Sequence, residues 1–401
     1  MCGYMYLLWS QYWMYIQNEP TTAVYNYDQQ IYYYNRGYPP SYFNYTFKIN
    51  NTTDRQKRSK QPIKENPITI IKNSKPRFPS SQESEFVLDT TKFKCLENDT
   101  DFKCDAKTFE YKTQLLKELR RVSLDESSIL KNKNPYNVHY NGSRSSTEKD
   151  FKQLLCLFQN VKIKTLTKYD HPFINDTFKN IFPKKALLAN KQFKSCAIVA
   201  SAGSLTHSQL GNFIDSHEMV LRFNHAPTEN YEDDVGAKTT FRILNSQVVS
   251  KPKFGFLEST LYQEWFKKPD FDLFPNYIEH RTRFKKTKSY VLNPQSLWDL
   301  WIFLQKQSTH QLRRNPPSSG FLGLAVLLPH CDYVDMLEYI PSVRVTRRCH
   351  YYDTEDNPAC TFGVWHPLAS EKLFAYSLNV ASDKTVFQNG YIRIPGFRKY
   401  C

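Results

Sequence analysis

From about residue 150 onward the chain reads as α/β, because short apolar runs of strand length alternate there with longer helical patterns. The runs are bounded by turn residues, and 40% of the 401 residues are apolar, enough to bury a sizeable core. Taken in order, Ala197 to Ala200 (AIVA) is a buried strand, and a tight turn follows through Gly203. Gln209 to His217 reads as a helix that begins near Ser208. Met219 to Phe223 and Thr239 to Leu244 are the next strands. Ser296 to Lys306 (SLWDLWIFLQK) reads as a helix. Gly320 to Leu328 is an apolar helix behind Pro316 and Pro317. There is no internal repeat.

The region ahead of residue 150 has a different character. Residues 17–150 read as a stem, largely irregular. Up to about residue 90 it is rich in Asn, Tyr, Lys, Thr and Pro and has little apolar periodicity. Within the stem, residues 108–122 have the pattern of a short amphipathic helix. Residues 1–16 are apolar and aromatic but are interrupted by Ser10 and Gln11. They fall short of the ~20 residues of a membrane-spanning helix, and no Lys or Arg precedes them. The segment reads as a weak membrane anchor or a truncated signal anchor.

The formal net charge of +15 favours an acidic partner: nucleic acid, an anionic membrane or an anionic small substrate. The basic residues are spread along the chain and no RNA or DNA module is present, so nucleic acid is not the expected partner. With 12 glycines, no Gly-rich phosphate loop dominates. None of the nine cysteines sits in a CxxC pair, which excludes a zinc ribbon or a thioredoxin-like site. Widely spaced cysteines fit structural disulfides in an oxidising compartment. Six N-x-S/T sequons, at Asn44, Asn50, Asn51, Asn98, Asn141 and Asn175, point the same way, to the secretory pathway.

Four segments carry candidate chemistry. The first runs from Cys196 to Gln247, where a strand ends at Ser201 and two others close at Asn224 and Asn245. Strand ends in α/β sheets open onto ligand-binding crevices, and amide side chains there can grip a ribose or a base. The second is Asn315 to Cys331 (NPPSSGFLGLAVLLPHC). Its two prolines stop any preceding helix and Ser318 caps the next one, so Ser318, Ser319 and Gly320 offer hydroxyls and N–H groups to an anion. The third is Cys349-His350-Tyr351-Tyr352, and the fourth is Trp365-His366-Pro367 followed by Glu371 and Lys372. A histidine ahead of a proline sits in extended backbone, and a neutral imidazole can take a proton from a sugar hydroxyl. Taken singly, each segment also fits ordinary packing, capping or a structural histidine.

Together and in this order, the four segments resemble the L, S, III and VS motifs of the animal sialyltransferases, glycosyltransferase family 29. His366 and Glu371 meet the VS pattern His-x4-Glu, and "SAGSL", "LRFNHAPT", "NSQ", "NPPSSG" and "HPLxxEK" are most similar to the β-galactoside α2,6 branch. The resemblance covers about residues 151–401, down to Ile394-Pro395-Gly396-Phe397-Arg398. It implies a single catalytic domain, residues 151–401, with a Rossmann-like fold of the GT-A-related type and no metal or other cofactor. Asp270-Phe271-Asp272 has the form of a DxD metal motif, but because the resemblance implies no metal the pair reads as acceptor-side or surface residues, with Asp270 and Gln247 the acceptor-binding candidates.

The resemblance further implies CMP-sialic acid as donor, with galactose-terminated glycoprotein glycans as acceptors. Ser201, Asn224, Asn245, Ser318, Ser319, Gly320, Cys349, Trp365 and Lys372 fall on donor contacts. His366 is the implied general base and His350 the donor to the departing phosphate, while Tyr352 and Asp353 depart from the usual motif and are left without a role. The implied disulfides are Cys156–Cys401, Cys196–Cys331 and Cys349–Cys360. Cys95 and Cys104 are close enough in sequence to pair, and Cys2 is left over. The implied setting is the Golgi membrane, entered through the N-terminus, with the catalytic domain lumenal in type II orientation. A homodimer and a secreted form are both compatible with it. An α2,3 or α2,8 linkage, a GalNAc acceptor and a non-catalytic glycan-binding relative stay open as alternatives.

Overall fold

The computed structural model describes residues 90–129, 138–144, 149–170, 180–245, 259–263, 273–312, 315–357, 359–363 and 366–401. Seven strands form one sheet: β1 Phe193–Val199, β2 Met219–Phe223, β3 Phe241–Asn245, β4 Ser259–Gln263, β5 Ser289–Val291, β6 Cys331–Leu337 and β7 Tyr391–Pro395. Their order across the sheet is β5-β4-β3-β2-β1-β6-β7, and all neighbours are parallel except β6 and β7. The α/β reading holds. Where both faces of a strand are covered the sequence is mostly apolar, as in the second half of β1 (Cys196 to Val199). Cys196 and Ile198 of β1 enter one core cluster while Ala197 and Val199 enter the other, the alternation that a strand imposes.

The helices that frame the sheet are α1 Asp101–Ile129, α2 Phe151–Phe158, α3 Gly211–Asp215, α4 Gln295–Gln307, α5 Ser319–Leu327 and α6 Leu368–Ser377. The amphipathic stretch expected at 108–122 lies inside α1, which is almost twice as long. Cys104, Thr108, Tyr111, Leu115 and Leu119 recur every three or four residues along α1 and are all buried. Tyr111 donates its hydroxyl to Ser342 O at 2.6 Å, and the Ser123 and Ser370 hydroxyls meet at 2.6 Å, tying α1 to α6. The packed fold therefore begins well ahead of residue 150, within the stretch expected to be irregular. The many Lys and Glu residues on the outer face of α1 dilute its apolar stripe in the sequence.

A second difference lies between β1 and β2. The helix expected over 209–217 is only α3, because His207 and Gln209 have φ of 61° and 56° and cannot belong to a right-handed helix. Asp234 holds them there, accepting from His207 N at 2.7 Å and Gln209 N at 3.0 Å. β2 spans the expected Met219–Phe223, and α4 and α5 match their expected ranges within a residue or so.

Four disulfides staple the described fold: Cys95–Cys104, Cys156–Cys401, Cys196–Cys331 and Cys349–Cys360. They include the three pairs that the resemblance implies. No helix among the described residues is long and apolar enough to cross a membrane. Residues 1–16, the sequons at Asn44, Asn50, Asn51 and Asn175, and the site residues Gln247, Asp270 and Trp365 lie outside the described residues. Asn98 and Asn141 are exposed.

Candidate active site

Because β1, β2, β3 and β6 are parallel, their carboxyl ends share one edge of the sheet. The chain runs outward from β1 to β5 and then returns to place β6 on the other side of β1. The resulting switch point between β1 and β6 is where such sheets bind ligands. Ser201 follows β1, Asn224 follows β2, Asn245 ends β3, and Glu338 and Tyr339 follow β6. Asn224 has φ of 47°, and its side-chain oxygen accepts from Asn245 N at 3.1 Å, so these two predicted residues are locked together. Beneath them, the buried Arg242 guanidinium donates to Asn224 O at 2.8 Å and Ala226 O at 3.1 Å.

The segment carrying His350 joins this edge directly. His350 pairs with Ala202 in an isolated antiparallel bridge, and Tyr351 N donates to Ser201 O at 3.1 Å. A side-chain hydrogen bond ties Tyr352 to Ser201, and burial pushes the Tyr352 phenol up to about 12. The His350 ring stacks on Tyr352, with centroids 5.0 Å apart and planes 11° apart, and His225 meets the Tyr352 ring edge-on at 5.3 Å. His350 Nδ1 lies 2.6 Å from Asp353 Oδ2. Cys349, expected on the donor side, has its sulfur in the disulfide with Cys360 and its N–H on Glu355 O, so its side chain acts as a staple.

The other histidine belongs to a different cluster. His366 Nδ1 lies 2.7 Å from Pro316 O. A carbonyl only accepts, so Nδ1 carries the proton and, in the neutral ring, Nε2 carries the lone pair. Ser318 caps α5, its hydroxyl accepting from Phe321 N at 3.3 Å. The same residue is held from below by Glu371, whose carboxylate accepts from Ser318 N at 2.8 Å, from the Ser318 hydroxyl at 2.5 Å and from Tyr339 OH at 3.0 Å. Glu371 is fully buried, and burial pushes its carboxyl above the usual range against those hydrogen bonds. Gly320 is required where it stands, because a Cβ would come within 2.7 Å of the Tyr339 ring.

Two expectations are corrected here. Lys372 is expected among the donor contacts, but its side chain turns into the core, 5% exposed, and donates to Tyr339 O at 2.7 Å. Burial pulls its ammonium down to about 8. Ser318 was to offer its hydroxyl to a ligand, but that hydroxyl is engaged by Glu371 and Phe321. Ser319 and Gly320 follow Ser318 in the first turn of the helix.

The residues that join the two clusters were not singled out in the sequence. Glu338 is buried with φ of 50°, and its carboxylate accepts from Ser204 Oγ at 2.8 Å, Ser342 Oγ at 2.7 Å and Arg344 at 2.6 Å. Tyr339, the next residue, holds Glu371. A pair of consecutive residues at the end of β6 thus fixes the turn after β1 and the start of α5 in one frame. The available signal was a charged residue closing a strand that is otherwise buried, a position that demands partners.

Two groups bring possible metal-binding atoms within 4.8 Å of one another among the described residues: His350, Asp353 and Glu355, and Cys349, Glu355 and Cys360. In the second group both sulfurs are committed to the disulfide. The Asp270-Phe271-Asp272 sequence lies outside the described residues.

The fold and site define an α/β protein with two histidine clusters at the carboxyl edge of a mostly parallel sheet. Residues 143–382 match the model of Glycosyltransferase family 29 (sialyltransferase), and the chain belongs to that family. It is 40% identical over 284 residues to the beta-galactoside alpha-2,6-sialyltransferase 2 of Xenopus tropicalis, covering 66% of this chain and 55% of that protein. The human protein of the same name is 39% identical over 285 residues, covering 66% and 54%. The human beta-galactoside alpha-2,6-sialyltransferase 1 is 38% identical over 284 residues, covering 66% and 70%. The chain spans about half the length of the first two of these relatives. A crystal structure of a mammalian sialyltransferase is similar at 20% identity with a TM-score of 0.37, covering 65% of this chain and 81% of that one.

Proposed function

We propose that the chain transfers sialic acid from CMP-sialic acid to the 6-hydroxyl of a terminal galactose on glycoprotein glycans, by metal-independent inverting displacement. We read the sheet accordingly as the sialyltransferase variant of the Rossmann-like GT-A-type fold. The observation that carries the proposal is the anchoring of His366. With Nδ1–H on Pro316 O, its Nε2 is the nitrogen equipped to accept a proton. In the reaction the 6-hydroxyl oxygen attacks the anomeric carbon and passes its proton to His366. The bond from that carbon to the phosphate oxygen breaks on the opposite face, and CMP leaves with the electron pair. The transition state resembles an oxocarbenium ion, as in glycoside cleavage. His350 donates to the departing phosphate, and Ser201, Asn224 and Asn245 receive the nucleotide at the sheet edge.

The four disulfides support a lumenal setting in the Golgi, where such bonds persist. The test is incubation of the purified full chain with CMP-sialic acid and lactosamine, followed by measurement of CMP release and linkage analysis of the product. An α2,6-linked product is expected. Absence of CMP release would overturn the proposal, and a product of another linkage would overturn the acceptor position alone. Of the alternatives, the α2,6 linkage is favoured by the names of the relatives reported above.

A further inference from the structure

The histidine at the β1 edge has a carboxylate partner of its own. We propose that Asp353 is a positioning residue that acts through His350, fixing its ring so that Nε2 faces the departing phosphate. This inference rests on the reading of His350 given above.

Three observations carry it. His350 Nδ1 and Asp353 Oδ2 are 2.6 Å apart, a short contact of the kind made when one partner is charged. A carboxylate only accepts, so Nδ1–H points at Asp353 and Nε2 is the one ring nitrogen left to face a ligand. The other oxygen of Asp353 accepts from Glu355 N at 3.2 Å, so the turn itself holds the carboxylate in place. The ring plane is set independently by Tyr352, stacked at 5.0 Å and 11° and in turn tied to Ser201. The imidazole thus has two constraints, one on its plane and one on its edge, and the backbone behind it is bridged to Ala202. A surface ring with no task rarely needs both, since an exposed ion pair by itself contributes little.

The charge of the partner matters as well as its position. To donate to a phosphate, Nε2 must carry a proton while Nδ1 already carries one, so the donating ring is an imidazolium. Asp353 offsets that charge. When the proton moves from Nε2 toward the phosphate oxygen, the ring returns to neutral with Nδ1–H still on Asp353. No second proton is gained or lost. Arg347 and Asp356 form a separate pair in the same loop at 3.0 Å and serve as a control for loss of charge alone.

The test is a double-mutant cycle on the full chain, with kcat and KM for CMP-sialic acid measured separately. Asp353→Asn keeps the shape and, through its oxygen, the turn hydrogen bond, but it presents an NH2 to His350 and so removes both the charge and the acceptor. It should lower kcat about 10- to 100-fold, by analogy with the partners that orient metal-bound histidines, and leave KM nearly unchanged. Asp353→Glu should recover part of the loss, and Asp356→Asn should leave kcat as it is. In the His350→Ala background, Asp353→Asn should have no further effect, because its route to the reaction is gone. Two results would overturn the proposal: an unchanged kcat in Asp353→Asn, or a loss that multiplies with that of His350→Ala. If instead His350→Ala itself left turnover intact, the reading of His350 would fail, and that outcome is seen before Asp353 is touched.

Discussion

The two histidine clusters are built to different standards. His366 hangs on a backbone carbonyl, beside a carboxylate that is fully buried and accepts three hydrogen bonds. His350 hangs on a carboxylate, in a turn where the ring and Asp353 are each 35% exposed. A carbonyl anchor leaves a neutral ring with its lone pair at Nε2, which suits a base. A carboxylate anchor offsets the charge of a doubly protonated ring, which suits a donor. Pairs of titratable groups in contrasting surroundings are how one site divides acid and base work. The buried half carries the helix end, and the half-exposed one carries the residue proposed to meet the leaving group.

Removing a carboxylate from each half should sharpen this contrast most. Glu371→Ala leaves Ser318 N–H, the Ser318 hydroxyl and the Tyr339 hydroxyl without their acceptor in the core, and it should cost about 3–5 kcal/mol of stability. Asp353→Asn, at the surface, should cost no more than about 0.5 kcal/mol. Denaturant unfolding of the two variants checks the pair, and equal losses would erase the distinction. The disulfide between Cys196 and Cys331 gives the next largest effect. It spans 135 residues and joins the middle of β1 to the amino end of β6, because Cys196 is the fourth of seven residues in β1 and Cys331 opens β6. The candidate site lies beyond the carboxyl ends of those strands, at Ser201 and at Glu338 and Tyr339. Cys196→Ala/Cys331→Ala should therefore lose about 2–5 kcal/mol while the folded fraction keeps its turnover, measured below its lowered melting point.

The smallest effect concerns Lys372. Its ammonium titrates near 8 in the folded protein, below its ordinary 10.5. Between those values the unfolded chain holds a proton that the folded one has released, so stability rises with pH there. The slope from one proton is at most about 1.4 kcal/mol per pH unit. Comparing melting curves of the wild type and Lys372→Met from pH 7 to 9.5 should show this rise in the wild type only.

Much of this was legible in the chain. β2 is legible to the residue because four of its five residues are apolar, and the fold buries the fifth, Arg222, by pairing it with the carbonyls of Val235, Gly236 and Lys238. Ser318 was placed because two prolines and a serine leave few other starts for a helix. What failed was set by distant residues. Asp234 holds His207 and Gln209 in left-handed backbone from 25 or more positions away, and no local pattern reports it. Lys372 reads as an anion binder until the fold turns it inward to Tyr339 O. α1 was undersized because its buried stripe is narrow and its outer face is charged. Asp353 stood in plain view three residues after His350, yet only the ring geometry gives it a task.

The base role proposed for His366 and the donor role proposed for His350 are separated most directly by changing the nucleophile. Azide attacks as an anion and brings no proton to remove, whereas the galactose hydroxyl does. His366→Ala should slow CMP release with lactosamine by about 10²–10⁴-fold and leave release with azide nearly unchanged. His350→Ala should slow both by the same factor, since both expel the same phosphate. If His366→Ala slowed azide and lactosamine alike, or if His350→Ala spared azide, the division of labour between the two anchors would be wrong.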